Sequence, residues 1–290
     1  MDLFEKCVAD PRVVAATAQH IFPYFQEIEE NHGPTVKIEG HDVIMAGSNN
    51  YLGLTCHPEV KAAAQQAIAD FGTSCSGSRF LNGNLVLHTA LEEDLADFVG
   101  MESCLLFTTG FLTNQGIIPT LVHRGEYLLS DRENHASIVA GTLIAKAMAA
   151  EAKRYQNNDM ASLETMLASL PEDSAKMIVT DGVFSMSGAV VHLPELVALA
   201  HRYNARILVD EAHSIGVLGA GGTGVARHFS LPNEGNIDLV MGTFSKTFAS
   251  LGGFVAGKRS VIDYIKHKSQ ALIFAASMPP ANVVAAHTAL

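Results

Sequence analysis

Positive charge is scarce in this chain of 290 residues. Its 19 lysines and arginines face 30 aspartates and glutamates, for a formal net charge of −11. A binder of phosphate backbones needs a basic face, so this balance argues against a nucleic-acid partner. Charged residues make up only 17% while 48% are hydrophobic, a composition that builds a core and excludes global disorder. No apolar run reaches the roughly 18 residues that a membrane-spanning helix needs. The opening Met1-Asp2-Leu3-Phe4-Glu5-Lys6 lacks the basic-then-apolar order of a secretory signal. Cysteines stand only at 7, 56, 75 and 104, with no C-x-x-C pair and no zinc-site or disulfide-scaffold spacing. Small buried or incidental thiols in a reducing, cytoplasmic setting are expected. Also missing are G-x-S-x-G, H-E-x-x-H and EF-hand patterns. Gly219–Gly224 matches G-x-G-x-x-G but opens no clear helix in a dinucleotide-binding unit. Gly252–Lys258 matches a P-loop, but Arg259 replaces the required Ser or Thr.

What is present is alternation of strands and helices. The segment up to about Asn31 mixes helical periodicity with Phe22, Tyr24 and Phe25. Thr35–Ile38 and Asp42–Ala46 read as β-like runs around a Glu39-Gly40-His41 turn. Helical patterns cover Pro58–Phe71, Leu85–Val99, His135–Ala149, Met160–Leu170 and Pro194–Tyr203. Apolar runs of strand length occupy Cys104–Thr108, Tyr127–Ser130, Met177–Thr180, Ile207–Asp210, Leu239–Met241 and Gly253–Ala256. Continuous apolar strands separated by helices predict an α/β fold with a mainly parallel sheet and helices on both faces. Ligands of such sheets bind beyond the carboxyl ends of strands. Polar segments sit there, at Thr108-Thr109-Gly110, Ser130-Asp131-Arg132, Asp181-Gly182, Asp210-Glu211-Ala212-His213 and Gly242-Thr243-Phe244-Ser245-Lys246.

Three residues carry candidate chemistry. Lys246 follows an apolar strand; a partly desolvated lysine can lose its proton and attack a carbonyl, whereas a solvated surface lysine does neither. Thr243, Ser245 and the nearby glycine-rich turn offer hydroxyls and N–H groups for a phosphate. Asp210 closes a buried strand, where a carboxylate needs a partner. That partner could be a pyridinium nitrogen, a metal or a helix N-terminus, although only Glu211 and His213 stand nearby as further ligands. His135 follows a strand and opens a helix; it could stack on a planar ring or shuttle protons, but it is one of 13 histidines.

The ordered set Gly110-Phe111, His135, Asp210-Glu211-Ala212-His213 and Thr243-Phe244-Ser245-Lys246 resembles that of the α-oxoamine synthases, pyridoxal-phosphate enzymes of the fold-type-I aminotransferase group. The resemblance runs from about Phe22 to the last residue. It includes Gly47–Leu54, Gly77–Gly83, Asp181–Gly188 and Phe274–Pro280. It implies a fold-type-I large domain over residues 51–290, preceded by a helical segment and short β-hairpin over residues 1–50. Lys246 would bond the cofactor covalently and then act as base. Asp210 would hold the ring nitrogen, His213 the phenolic oxygen, and His135 would stack on the ring. Gly110, Phe111, Thr243 and Ser245 would hold the phosphate, with Ser185 beside the ring. Asn50 and Tyr51 would serve the substrate, and Asn50 and Ser277 would reach a neighbouring subunit's site in a homodimer. No metal is implied. The wording is nearest to members that condense L-serine with palmitoyl-CoA to 3-ketodihydrosphingosine, CoA and CO2. The alternatives are relatives making 2-amino-3-ketobutyrate or 8-amino-7-oxononanoate, or a truncated, cofactor-binding, non-catalytic subunit. Members of the family continue into a small C-terminal domain that supplies an arginine for the amino acid carboxylate. Here the chain stops at Leu290 within a helical pattern, so that domain is expected to be missing.

Overall fold

A computed structural model describes residues 2–8 and 10–290; Met1 and Ala9, in the expected N-terminal helical segment, lie outside the described residues. Residues separate into two compact units, divided between Gly47 and Ser48. The first holds α1 (Pro11–Ala18) and strands β1 (Glu30–Asn31), β2 (Thr35–Ile38) and β3 (His41–Ile44). Asp10 caps α1 by accepting the Arg12 N–H at 2.8 Å, ahead of a first turn begun by Pro11. Both partners of β2 run antiparallel to it, giving a three-stranded sheet where a hairpin is expected. The added strand, β1, is two exposed polar residues and has no apolar pattern to betray it.

The second unit begins with α2 (Pro58–Phe71) and α3 (Val86–Val99). Then β4 (Ser103–Phe107), α4 (Gly110–Leu121), β5 (Tyr127–Asp131), α5 (Ala136–Ala147), β6 (Glu151–Tyr155) and α6 (Met160–Ala168) follow. The chain continues through β7 (Lys176–Asp181), α7 (Leu193–Arg202), β8 (Ala205–Asp210), α8 (Val225–His228), β9 (Leu239–Thr243) and β10 (Gly253–Gly257). It ends with α9 (Arg259–Lys268), α10 (Gln270–Ile273) and α11 (Pro280–Ala289). The seven strands are ordered β4-β10-β9-β8-β7-β5-β6.

Pairings from β9 through β6 are parallel, and β10 is antiparallel to both neighbours. The inversion has a local cause. Only residues 244–252 separate β9 from β10, too few for the dozen or more that a parallel crossover needs. Strand β6 escaped the periodicity reading because Glu151, Lys153 and Arg154 interrupt it. Charge suits this position, since β6 closes one edge of the sheet.

Alternation along the strands divides the apolar residues between two cores. Ile178, Ile207, Val209 and Leu106 face a core with α3, α6, α7 and α11. Met177, Val179, Leu208 and Leu105 face another with α4, α5 and α9. Each fully buried Leu, Ile or Val side chain contributes about 1.5–3 kcal/mol of transfer free energy. This double cover makes the sheet rigid, so the C-terminal ends of β7, β8 and β9 are held in fixed register, with Asp181 beside Asp210 and Asp210 beside Met241. Among the described residues no helix is long and apolar enough to cross a membrane.

Candidate active site

The polar strand ends surround a cavity of about 240 Å³ lined by groups that include Gly110, Phe111, His135, Asp181, Asp210 and Lys246. Its floor is the N-terminus of α4. Thr109 caps that helix, its hydroxyl accepting the Leu112 N–H at 3.1 Å. The hydroxyl of Thr243 comes close to this helix start because residue 110 is glycine: a Cβ there would lie 2.7 Å from Thr243 Oγ1. Ser245 Oγ is 3.0 Å from Thr243 Oγ1. Unpaired N–H groups, the positive end of a twelve-residue helix and two hydroxyls form a pocket for an anion.

Asp210 is buried. Its Oδ2 accepts from Asn114 Nδ2 at 2.7 Å and its Oδ1 from the Ala212 N–H at 3.0 Å. These donors are neutral, and the positive charge that Asp210 acts on within the cavity is that of Lys246. Next to it, Asp181 accepts the His135 N–H at 3.0 Å. Burial, then the Asp210 charge, push the Asp181 carboxyl well above the usual carboxylate range. Asp181 therefore holds a proton more readily than an exposed carboxyl.

Asn114 also donates to Ser137 Oγ at 2.9 Å, and that hydroxyl lies 2.8 Å from His135 Nδ1. The Ser137 N–H reaches the same nitrogen at 3.3 Å, so Nδ1 is the acceptor and the neutral ring carries its proton on Nε2. Asn114 and Ser137 are the participants that motif reading missed, and Asp181 was seen only as a polar strand end. Asp181 left a signal, closing β7 as Asp210 closes β8, whereas Asn114 sits in α4 beside Thr113 and Gln115 and does not stand out.

Lys246 Nζ lies 2.8 Å from His213 Nε2, and His213 Nδ1 lies 2.7 Å from the Tyr51 hydroxyl. Desolvation lowers the Lys246 pKa against the opposing pull of Asp210 and Asp181. Burial, then the charges of Lys246 and His135, push His213 down to about 4. His213 is thus neutral at physiological pH.

Of the expected site residues, Gly110, Phe111, His135, Asp210, His213, Thr243, Ser245 and Lys246 line the cavity. Tyr51 joins through His213. Besides Tyr51, three are not among the lining residues. Ser185 is exposed in the turn after β7. Asn50 bonds Thr55 Oγ1 at 2.8 Å. Ser277 is buried, with no partner for its hydroxyl among the described residues, in a place where a Cβ on Gly83 would come within 2.3 Å. No group of three His, Cys, Asp or Glu side chains among the described residues is placed to hold a metal.

Residues 41–290 match the family "Aminotransferase class I and II". The chain belongs to that family. It is 48% identical to a serine palmitoyltransferase of Sphingobacterium spiritivorum over 93% of this chain and 66% of that protein. Likeness to the Bacteroides ovatus serine palmitoyltransferase is also 48%, over 94% and 68%. An 8-amino-7-oxononanoate synthase of Geobacter sulfurreducens is 44% identical over 94% and 68%. The chain therefore spans about two thirds of the length of these curated relatives. Among solved structures, serine palmitoyltransferase from S. paucimobilis with bound pyridoxal phosphate and myriocin superposes with a TM-score of 0.93 at 37% identity. That match covers 100% of this chain and 72% of the other. The shared architecture is that of the fold-type-I enzymes.

Pyridoxal 5'-phosphate fits what the site demands. Its phosphate suits the α4 N-terminus with Thr243 and Ser245, its protonated ring nitrogen suits the buried carboxylate of Asp210, and its aldehyde suits the Lys246 amine.

Proposed function

We propose that this chain supplies the pyridoxal-phosphate site of an enzyme that condenses L-serine with palmitoyl-CoA, releasing CoA and CO2, to give 3-ketodihydrosphingosine. One observation carries the reading. The Asp210 carboxylate, the Lys246 amine, the His135 imidazole and the N-terminus of α4 line a single cavity, in a chain 48% identical to serine palmitoyltransferases. When bound, the cofactor supplies a pyridine ring that takes up the electron pair left by the amino acid's broken Cα–H bond. Asp210 holds a proton at the ring nitrogen, fixed in place by Asn114. Lys246, its proton affinity lowered by desolvation, takes the Cα proton and later returns one. His135, its Nδ1 held by Ser137, stacks on the ring and helps orient the amino acid. His213 contacts the phenolic oxygen, and the helix start with Thr243 and Ser245 holds the phosphate.

The proposal extends to the assembly. Residues 51–290 are the cofactor-binding large domain, and two copies form a homodimer with the sites at the subunit interface. The unpartnered Ser277 hydroxyl and the position of Asn50 outside the cavity support a role for both toward the neighbouring subunit. Ser185, in the exposed turn after β7, would approach the ring from outside the residues that line the cavity. A cytoplasmic setting suits an acyl-CoA substrate and four cysteines that no disulfide joins.

Absorbance spectra with added pyridoxal phosphate test the reading. The parent is expected to show a cofactor band that Lys246→Ala lacks and that L-serine changes more than glycine or L-alanine does. A folded parent without a Lys246-dependent band overturns the cofactor site. A band altered by L-alanine and not by L-serine replaces the serine reaction with that of the 8-amino-7-oxononanoate synthases.

A further inference from the structure

Lys246 has to shed a proton before its amine can bond a carbonyl carbon or act as a base. The charges of Asp210 and Asp181 favour its protonated form, and desolvation opposes them. Its Nζ makes one hydrogen bond among the described residues, to His213 Nε2 at 2.8 Å. The other ring nitrogen, Nδ1, is 2.7 Å from the Tyr51 hydroxyl. Tyr51 itself is 42% exposed, so its hydroxyl can exchange with water.

We propose that, before the cofactor binds, Tyr51 and His213 form a proton wire that joins Lys246 Nζ to solvent. A neutral imidazole has one N–H and one lone pair, so it passes a proton by accepting at one nitrogen while releasing from the other. A phenol both donates and accepts. With Lys246 charged, the ammonium donates to Nε2 and the Nδ1–H donates to the Tyr51 oxygen. On discharge, an Nζ–H bond breaks as Nε2–H forms. The Nδ1–H bond breaks as its proton passes to Tyr51 Oη, and the phenolic proton leaves to water. Three bonds to hydrogen break and three form, and the positive charge departs as hydronium. The neutral lysine is left facing an Nε2–H, which can donate to it, while the Tyr51 O–H now donates to Nδ1. Charged neighbours bias this in a consistent way: Lys246 and His135 keep the ring neutral, and a doubly protonated ring could not relay. Tyr51 acts through His213 and is a positioning residue.

The wire rests on the proposed function for its use, but it can be measured without cofactor. In ¹⁵N-histidine-labelled, cofactor-free protein, His213 is identified by the signal lost in His213→Gln. Its proton is expected on Nδ1 while Lys246 is charged, and to move to Nε2 as pH rises through the Lys246 titration or in Lys246→Ala. In Tyr51→Phe, exchange of the His213 N–H with water is expected to slow by about tenfold or more. Free imidazole should restore the rate in proportion to its concentration, which it would not do for a merely structural defect. A tautomer indifferent to Lys246, or unchanged exchange in Tyr51→Phe, overturns the wire. Neither result touches the Lys246-dependent cofactor band, so the two readings fail separately.

Discussion

Glu211 offers the sharpest test of the electrostatics beneath the site. It is fully buried at the turn after β8, where its carboxylate accepts the Ser214 hydroxyl and lies 3.0 and 3.1 Å from the Val225 nitrogen. Glycine at 224 allows this approach, since a Cβ there would lie 2.7 Å from Glu211 Oε1. These hydrogen bonds favour the ionised form, but burial outweighs them and raises the carboxyl from 4.5 to about 7. Between those pH values the folded chain binds more protons at this site than the unfolded chain. Stability from this group is thus present at low pH and lost as pH rises toward 7. At about 1.4 kcal/mol per pH unit, the interval corresponds to roughly 3 kcal/mol.

Glu211→Gln removes the titration and keeps the shape; its Nε2 donates where a carboxylate oxygen accepts, a cost independent of pH that cancels when stabilities are compared across pH. Denaturant unfolding of both cofactor-free proteins should show the variant gaining on the parent by roughly 3 kcal/mol from about pH 4 to about pH 8. His213 works in the opposite direction over a similar range, because a depressed imidazole costs stability as pH falls below its usual 6.5. It is common to both proteins and cancels in the difference. A stability difference that stays level within about 1 kcal/mol across that range would refute the assignment of a buried, proton-holding Glu211.

Other perturbations follow from the same geometry. Lys246→Ala should abolish the cofactor band and lower kcat by at least about 10³-fold, read by steady-state assay with L-serine and palmitoyl-CoA. Gly110→Ala drives a methyl against Thr243, and should weaken pyridoxal-phosphate binding by about tenfold or more in a fluorescence titration while the fold survives by circular dichroism. Asn114→Leu leaves Asp210 Oδ2 without its amide donor, a loss of about 1–3 kcal/mol that should lower kcat more than it raises the serine KM. Arg79→Ala strands Glu92, which is otherwise held by a buried bidentate pair at 2.7 and 3.0 Å and by the Leu106 N–H at 2.8 Å. Thermal or denaturant unfolding should register about 3–5 kcal/mol of destabilisation there.

Much of the fold was legible locally. The helix Pro58–Phe71 begins at a proline and stops before Gly72, as its end signals say. The strands ending at Asp181 and Asp210 stand out as apolar runs closed by a carboxylate. The candidate cofactor residues were visible because chemistry at strand ends leaves polar groups where packing alone would not put them. Strand β6 and Asn114 were harder to see: an edge strand tolerates charge, and a buried amide inside a helix looks like an ordinary polar residue until its partner is known.

The sequence by itself determined the period of many elements, the polar tips of the strands and the residue types available for catalysis, because these depend on neighbours a few residues away. Tertiary structure alone decided which tips meet. It placed β10 antiparallel between β4 and β9, set Asp181 beside Asp210, and brought Tyr51 to His213 across 162 positions of chain. Such contacts follow from how two cores are buried on opposite faces of one sheet, a balance summed over the whole second unit, and no local pattern encodes it.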